Sequence, residues 1–221
     1  MTVWLTRLAP GKDSGAIRQD MRDSVRLHKR VMSLFPDGTG SQARSRYGVL
    51  FRMEDTSAGP QLLLQSTHEP DLTVLPRGYD QAQSRPLDPL LDALRPGLTI
   101  RYRCVASPVR KPGATARAAY HLPKVVALSG AAADDWWIRQ SEASGIITHK
   151  AHSHPVDAAR GTRTPDDKPP QHIRHARTCF EGTATIADPE RLRLKIAEGI
   201  GRGKAYGCGL LTIAPARREP S

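Results

Sequence analysis

Cysteine is scarce in this 221-residue chain, and its three copies, Cys104, Cys179 and Cys208, are odd in number and far apart. No CxxC pair occurs, so the sequence carries neither a disulfide framework nor a zinc ribbon, and a reducing, cytoplasmic setting is expected. Aromatic residues make up only 5%, which argues against a base-stacking platform as the main binding device. Long apolar runs are missing as well. The opening MTVWLTRLAP is interrupted by Arg7 and is too short for a signal-peptide core or a bilayer span, so no membrane association is expected. Negative charge is the remaining deficit: 22 Asp plus Glu stand against 33 Lys plus Arg, a formal charge of +11. That excess calls for an acidic partner or an acidic surface.

With 38% hydrophobic and 25% charged residues, the composition is that of an ordinary globular protein. The length suits one large domain or two small ones. A strand is expected over 2–8, ended by Pro10-Gly11, and a helix over 21–35 with Asp23 as its N-cap. On that helix Met21, Val25, Leu27, His28, Val31, Met32, Leu34 and Phe35 share one broad arc, and the charged residues fill the other. Pro36-Asp37-Gly38 stops it. Strands follow at 47–53 and 61–65, then a short helix near 72–75, a loop over 80–97 with a helical piece at 87–94, and a strand at 98–105.

The second half repeats the order, with a helix over 124–142, strands at 145–150 and 177–186, a helix from Pro189 to Glu198 and a last strand at 208–213. Pro189 suits the first turn of a helix. The expected architecture is α+β: two tandem ferredoxin-like (RRM-like) domains, 1–108 and 109–221, each an antiparallel sheet with helices on one face. Segment 151–175 carries Arg160, Arg163, Lys168 and Arg174 and almost no apolar residues. It reads as an exposed, mobile loop or a hairpin.

Four features could carry chemistry. The run GIGRGKAYGCGLL, 199–211, sets Gly199, Gly201, Gly203, Gly207 and Gly209 around Arg202 and Lys204. A P-loop fails because Glu198 occupies its first glycine and Ala205 follows the lysine, and GxGxxG fails in both registers. What is left is a cationic glycine loop able to lie on a phosphodiester backbone, or a helix cap and turn that needs small residues. His28 falls inside the apolar arc of its helix, either as a buried histidine or as a general acid or base for a ribose 2′-hydroxyl and a 5′-oxygen. His149, His152 and His154, with His172 and His175, have spacings compatible with a metal, but no cysteine or carboxylate completes a site and no metal or other cofactor is expected. Finally, residues 101–124 hold six Lys or Arg, Arg101, Arg103, Arg110, Lys111, Arg117 and Lys124, and no Asp or Glu. This stretch is expected to contact phosphate, the alternative being a solvated basic face. The cysteines fall in expected strands as small buried hydrophobes.

Several stretches together resemble the CRISPR repeat-processing endoribonucleases of the type I-E Cascade complex, the CasE family. They are RLHKRVMSLFPDG at 26–38, LLLQS at 62–66, YRCVASPVRK at 102–111, CFEG at 179–182 and GIGRGKAYGCGLLTIAP at 199–215. The resemblance spans nearly the whole chain, and the glycine-rich run is its most specific part. It implies two ferredoxin-like folds and a metal-independent cut at the base of a repeat-RNA hairpin. The first-helix histidine, matched by His28, would assist attack of the 2′-hydroxyl, leaving a 5′-hydroxyl and a 2′,3′-cyclic phosphate. Relatives place a tyrosine three residues before that histidine, where this chain has Val25, and one has a lysine five residues after it, where this chain has Ser33. Lys29 and Arg30 are the candidates for the missing assistance. The resemblance also implies retention of the crRNA beside other Cascade subunits. From charge alone, Arg110, Lys111, Arg117, Arg160, Arg163 and Arg174 are assigned to the RNA, together with the glycine loop. A non-catalytic hairpin-binding subunit and a histidine-loop metallohydrolase are the alternatives.

Overall fold

A computed structural model describes residues 2–9, 15–37, 42–79, 81–164 and 169–216. Pro10, Gly11, Gly38 and Lys168, named above, lie outside the described residues. β1 (Trp4–Ala9) buries Leu8 and turns Arg7 outward, the alternation of a half-buried strand. It lies between β3 (Gly59–Ser66) and β4 (Gln81–Pro86), antiparallel to both, and β2 (Leu50–Thr56) flanks β3 on the outside. The sheet order is β2-β3-β1-β4.

The helix expected over 21–35 is two helices. α1 (Gly15–Arg22) contains Met21, and α2 (Ser24–Met32) begins after Asp23, whose Oδ1 accepts from the backbone N–H of Val25 at 2.8 Å and of Arg26 at 3.0 Å. That cap is the one the sequence indicated, and it satisfies orphan donors of the first turn. α2 buries Leu27 and Val31 against Leu8, Phe51, Leu62 and Leu64. α3 (Ala43–Arg46) leads into β2, and the element near 72–75 is a single 3-10 turn, Leu72–Val74, capped by Asp71.

β4 was expected as loop. Its residues, QAQSRP, are largely exposed, because an edge strand held by backbone pairing to β1 needs no apolar pattern. β5 (Thr99–Ala106), expected as the fourth strand of the first half, instead pairs with β9 (Gln171–Ile186) and β10 (Leu211–Pro215). The passage from one sheet to the other therefore falls between Pro86 and Thr99, ahead of the expected division at residue 108. α4 (Asp88–Asp92) covers this passage, and its Leu91 and the following Leu94 enter the second core.

The second sheet has the order β10-β5-β9-β8, with β8 spanning Ile146–Arg163. Numbered within each half, both sheets read 4-1-3-2, so the protein is two tandem ferredoxin-like folds. α6 (Ala131–Ala143) and α7 (Pro189–Glu198) cover the second sheet, and Trp137 of α6 stacks on Phe180 at 4.9 Å. The helix expected from 124 starts only at 131. Gly130, at φ 54, breaks the chain there, and 109–127 forms a ribbon of β6 (Val109–Arg110) and β7 (Val126–Ala127) around α5 (Ala114–Ala119). The last strand begins at Leu211, three residues later than expected.

Of segment 151–175, residues 151–163 and 171–175 are the outer part of the β8–β9 hairpin, so there the loop alternative is overturned. Pairs such as Ala159↔His175, Arg160↔Arg174 and Gly161↔Ile173 hold it by the backbone ladder. All three cysteines are buried free thiols, and burial pushes Cys104 and Cys208 up to about 12.

The two halves are bolted by polar contacts. Arg52 of β2, only 2% exposed, donates to Glu54, to the carbonyls of Arg103 and Leu210 at 3.1 and 3.0 Å, and to Thr212 Oγ1 at 2.9 Å. Gln65 Nε2 donates to Ile196 O of α7 at 2.6 Å. These bonds fix β2 and β3 against the second half, and so fix the site built between them. Among the described residues no helix is long and apolar enough to cross a membrane.

Candidate active site and nucleic-acid interface

His28 sits one turn into α2, and its ring stacks on Phe51 of β2 with centroids 6.4 Å apart and planes 22° apart. Its Nδ1 is buried and makes no hydrogen bond. Leaving a buried polar atom unpaired costs about 1–3 kcal/mol, and it leaves Nε2 as the nitrogen that can meet a substrate. Burial, then the Arg44 guanidinium, then Arg163 lower the His28 pKa below its ordinary 6.5. The imidazole is therefore neutral at pH 7 and ready to accept a proton.

Two segments from the second half close on α2. The first is the glycine loop after α7, whose 3-10 turn Lys204–Tyr206 packs against α2 and β2. Its glycines at 199, 201, 203, 207 and 209 all have φ between 71 and 90°, a region that favours glycine. Gly199, Gly207 and Gly209 are buried. A Cβ would stand 2.7 Å from Leu50 at Gly199, and 2.7 Å from Ile200 O at Gly209. Gly199 and Gly209 build the turn against Leu50 and Ile200, while Gly207 lines the groove between the halves beside Tyr206. Gly201 and Arg202 are exposed, with Gly203 and Lys204 half-buried. Lys204 Nζ donates to Glu198 O at 2.6 Å, so the lysine also caps α7. Burial and Arg44 lower its pKa.

The second segment is the β8–β9 hairpin. At Gly161 a Cβ would lie 2.7 Å from Asp23 Oδ1 and 2.9 Å from Val25 Cγ2, so this strand runs directly over the start of α2. Residues two apart on a strand share a face, and residues three apart on a helix share a face. Gly161 over Val25 thus carries Arg163 toward His28. His175 on the partner strand stacks on Tyr206 at 4.9 Å, and burial followed by Arg202 lowers its pKa. The hairpin, the glycine loop and α2 are in this way packed together. Arg160 and Arg174 are exposed and directly paired across the hairpin. Like charges in that relation repel, and a polyanion lying on them removes the penalty.

Lys29 and Arg30 are turned away from the imidazole by the helix, at about 100° and 200° round its axis. Lys29 is exposed, and Arg30 Nε is bound to Asp20 of α1 at 2.8 Å. Arg110 and Lys111 are exposed on the β6–β7 ribbon, and Arg117 is half-buried on α5 with Nε buried and unpartnered. The charges acting on His28 come from α3 and β8, not from this ribbon. Of the histidines considered for a metal, His152 and His154 lie side by side with ring centroids 5.7 Å apart, but His149 Nε2 meets Thr185 Oγ1 at 2.6 Å, His172 faces Thr162 and His175 stacks on Tyr206. Among the described residues no group of three His, Cys, Asp or Glu could hold a metal.

A groove of about 770 Å³ runs between the halves, lined by Leu27, Phe51, Arg103, Arg160, Arg177 and Tyr206 among others. Arg44, Arg177 and Tyr206 escaped the sequence reading because no local pattern singles them out. Arg44 reaches the site through α3, and the other two through strand and turn positions fixed by the second half.

A family profile described as "CRISPR associated protein" matches residues 3–215. The CRISPR-associated endoribonuclease Cse3 of Thermus thermophilus is 31% identical over 223 residues, covering 96% of this chain and 100% of that protein. The CRISPR system Cascade subunit CasE of Escherichia coli is 27% identical over 201 residues, covering 88% and 93%. The structure of Thermus thermophilus Cse3 bound to an RNA representing a pre-cleavage complex superposes with a TM-score of 0.78 and 28% identity, covering 97% of this chain and 100% of that one. With the fold, the histidine helix and the glycine loop all in place over almost its full length, the chain belongs to the CRISPR associated protein family, as a CasE (Cse3) endoribonuclease of the type I-E kind.

Proposed function

We propose that this protein binds the hairpin of CRISPR repeat RNA, cuts it by a metal-independent 2′-hydroxyl attack and stays on the crRNA as a Cascade subunit. The observation that carries the reading is the partly buried His28, its Nδ1 sealed and unpaired, with burial, Arg44 and Arg163 lowering its pKa. A neutral imidazole removes the 2′-hydroxyl proton, and fixed cations stabilise the charge that grows on the phosphorane oxygens. The 2′-oxygen bonds to phosphorus, the bond to the 5′-oxygen breaks and that oxygen takes up a proton. The products are a 2′,3′-cyclic phosphate and a 5′-hydroxyl. Arg160, Arg163 and Arg174 on the hairpin, with Arg202 at the glycine loop, supply the salt-dependent grip. Arg110, Lys111 and Arg117 form a second basic surface along the same RNA. The RNA in the Thermus thermophilus pre-cleavage complex and the Cascade name of the Escherichia coli relative support the RNA-binding and Cascade parts of this reading.

The test is a gel assay on a hairpin repeat RNA in excess EDTA, comparing wild type with His28→Ala and an all-ribose RNA with one carrying a 2′-deoxy at the cut site. Cleavage by wild type that either change abolishes is expected. Tight binding without cleavage would make the protein a hairpin-binding subunit, a reading that Val25 in place of the family tyrosine favours, and loss of activity in EDTA would point to a metallohydrolase.

A further inference from the structure

Arg44 is anchored from both ends of a short loop. The Val49 N–H donates to Arg44 O at 2.9 Å, and Arg44 Nη1 donates to Val49 O at 3.1 Å. Two residues on from Val49, Phe51 carries the ring that stacks with His28. Between them Leu50 supports Gly199, and the adjoining Glu198 O receives Lys204 Nζ. α3 and the glycine loop therefore meet on one ledge beside the imidazole. Among the described residues Arg30, Arg52, Arg103, Arg191 and Arg193 each pair with a carboxylate, and Arg44 does not. One of its five N–H donors is spent on Val49, which leaves a planar fork free. Arg44, Arg163 and Lys204 face this corner from α3, β8 and the glycine loop, and burial alone depresses Arg44. A half-buried guanidinium without a counter-charge is costly unless an anion arrives.

We propose that Arg44 is a catalytic residue of this site, its free guanidinium nitrogens holding the non-bridging oxygens of the scissile phosphate while His28 acts on the 2′-hydroxyl. This rests on the ribonuclease reading above. In the step, the 2′-hydroxyl proton passes to His28 Nε2, the 2′-oxygen bonds to phosphorus, and the 5′-oxygen leaves with a proton from solvent. Arg44 neither gains nor loses a proton. It binds the equatorial oxygens more tightly as their charge rises, which is the condition for accelerating the step and not merely binding the RNA.

The experiment is single-turnover cleavage of the hairpin RNA by wild type, Arg44→Lys and Arg44→Ala. Each is given all-oxygen RNA and the two phosphorothioate diastereomers at the cut site, alongside affinity for the 2′-deoxy RNA and melting temperature. Arg44→Ala is expected to lose roughly 100-fold or more in rate and to bind the 2′-deoxy RNA within about threefold of wild type. Arg44→Lys is expected to recover part of the rate. One diastereomer should be slow with wild type and show no added slowing with Arg44→Ala. Removing Arg44 also removes a cation that lowers the His28 pKa, so the acid limb of the rate profile should move to higher pH in Arg44→Ala and stay in Arg44→Lys. Equal losses in both variants, with melting lowered and the thio effect retained, would overturn the proposal in favour of a structural anchor. A cleaving wild type beside an unimpaired Arg44→Ala overturns Arg44 alone, whereas a wild type that binds and never cleaves overturns the ribonuclease reading first.

Discussion

Replacing Gly161 by alanine tests whether the hairpin must lie on the histidine helix for the protein to cut. The residue's φ is not in the left-handed region, so alanine adds no backbone strain and the effect is purely steric. Its Cβ would stand 2.7 Å from Asp23 Oδ1, 2.9 Å from Val25 Cγ2 and 3.1 Å from Val25 N. Two of these lie below any real Cβ contact, so the strand must lift or the cap must give way by several tenths of an ångström. Overpacking of this kind costs about 1–3 kcal/mol, and loss of the Asp23 cap would add about 1 kcal/mol. Lifting the strand also withdraws Arg163 from His28, and a misplacement on the order of 1 Å near a reacting centre costs up to about 100-fold in rate. Single-turnover cleavage should therefore fall well below wild type while affinity for the 2′-deoxy hairpin changes much less. The acid limb of the rate profile should rise in pH, because Arg163 is one of the two cations that lower His28. A Gly161→Ala protein that cleaves at the wild-type rate with an unchanged pH profile would refute the contact between hairpin and helix as a requirement for cutting.

Further outcomes follow from other parts of the structure. His28→Ala should reduce cleavage by roughly 100-fold or more with hairpin affinity nearly unchanged; parallel loss of binding and cleavage in the same titration would remove His28 from the base role. Because the folded His28 pKa lies below 6.5, the wild-type rate should be flat at neutral pH and fall as pH drops through the lowered pKa. A limb centred above 6.5 would contradict this. Arg202→Ala should shrink the slope of log affinity against log salt by about one with melting unchanged, whereas Lys204→Ala should also lower the melting temperature by removing the bond to Glu198 O. Arg52→Ala strips a buried arginine from Glu54 and two carbonyls and should cost about 3–5 kcal/mol in denaturant unfolding. An unchanged midpoint would show that the halves are held by other means.

The local signals of the sequence were strong wherever a residue's neighbours along the chain set its surroundings. Asp23 was legible as a cap because its side chain reaches donors only two and three residues ahead. His28 stood out because an imidazole on the apolar arc of a helix has to be buried or used. α7 announced itself through Pro189 and its apolar spacing. β4 was not legible, since an edge strand is held by a backbone ladder that any polar residue can join. β5 was legible as a strand, but its sheet was not, because partners more than 70 residues away decide pairing. In the same way the glycine run read as a cationic loop, and only packing showed that Gly199 and Gly209 are pressed against Leu50 and Ile200 while Gly207 borders the groove.

By itself, then, the sequence determined an α+β chain with excess positive charge, a histidine helix and a glycine turn, since each depends on composition or on contacts within a few residues. The tertiary structure decided which cations stand beside the histidine. Arg30, two residues away in sequence, is tied to Asp20, and Arg44 and Arg163, distant in sequence, are the ones that act on the ring. The reason is geometric: a helix turns the residues one and two away to other faces, those three and four away, Ser24, Val25, Val31 and Met32, carry no charge, and a cation therefore reaches the face of His28 only from an element folded back from elsewhere.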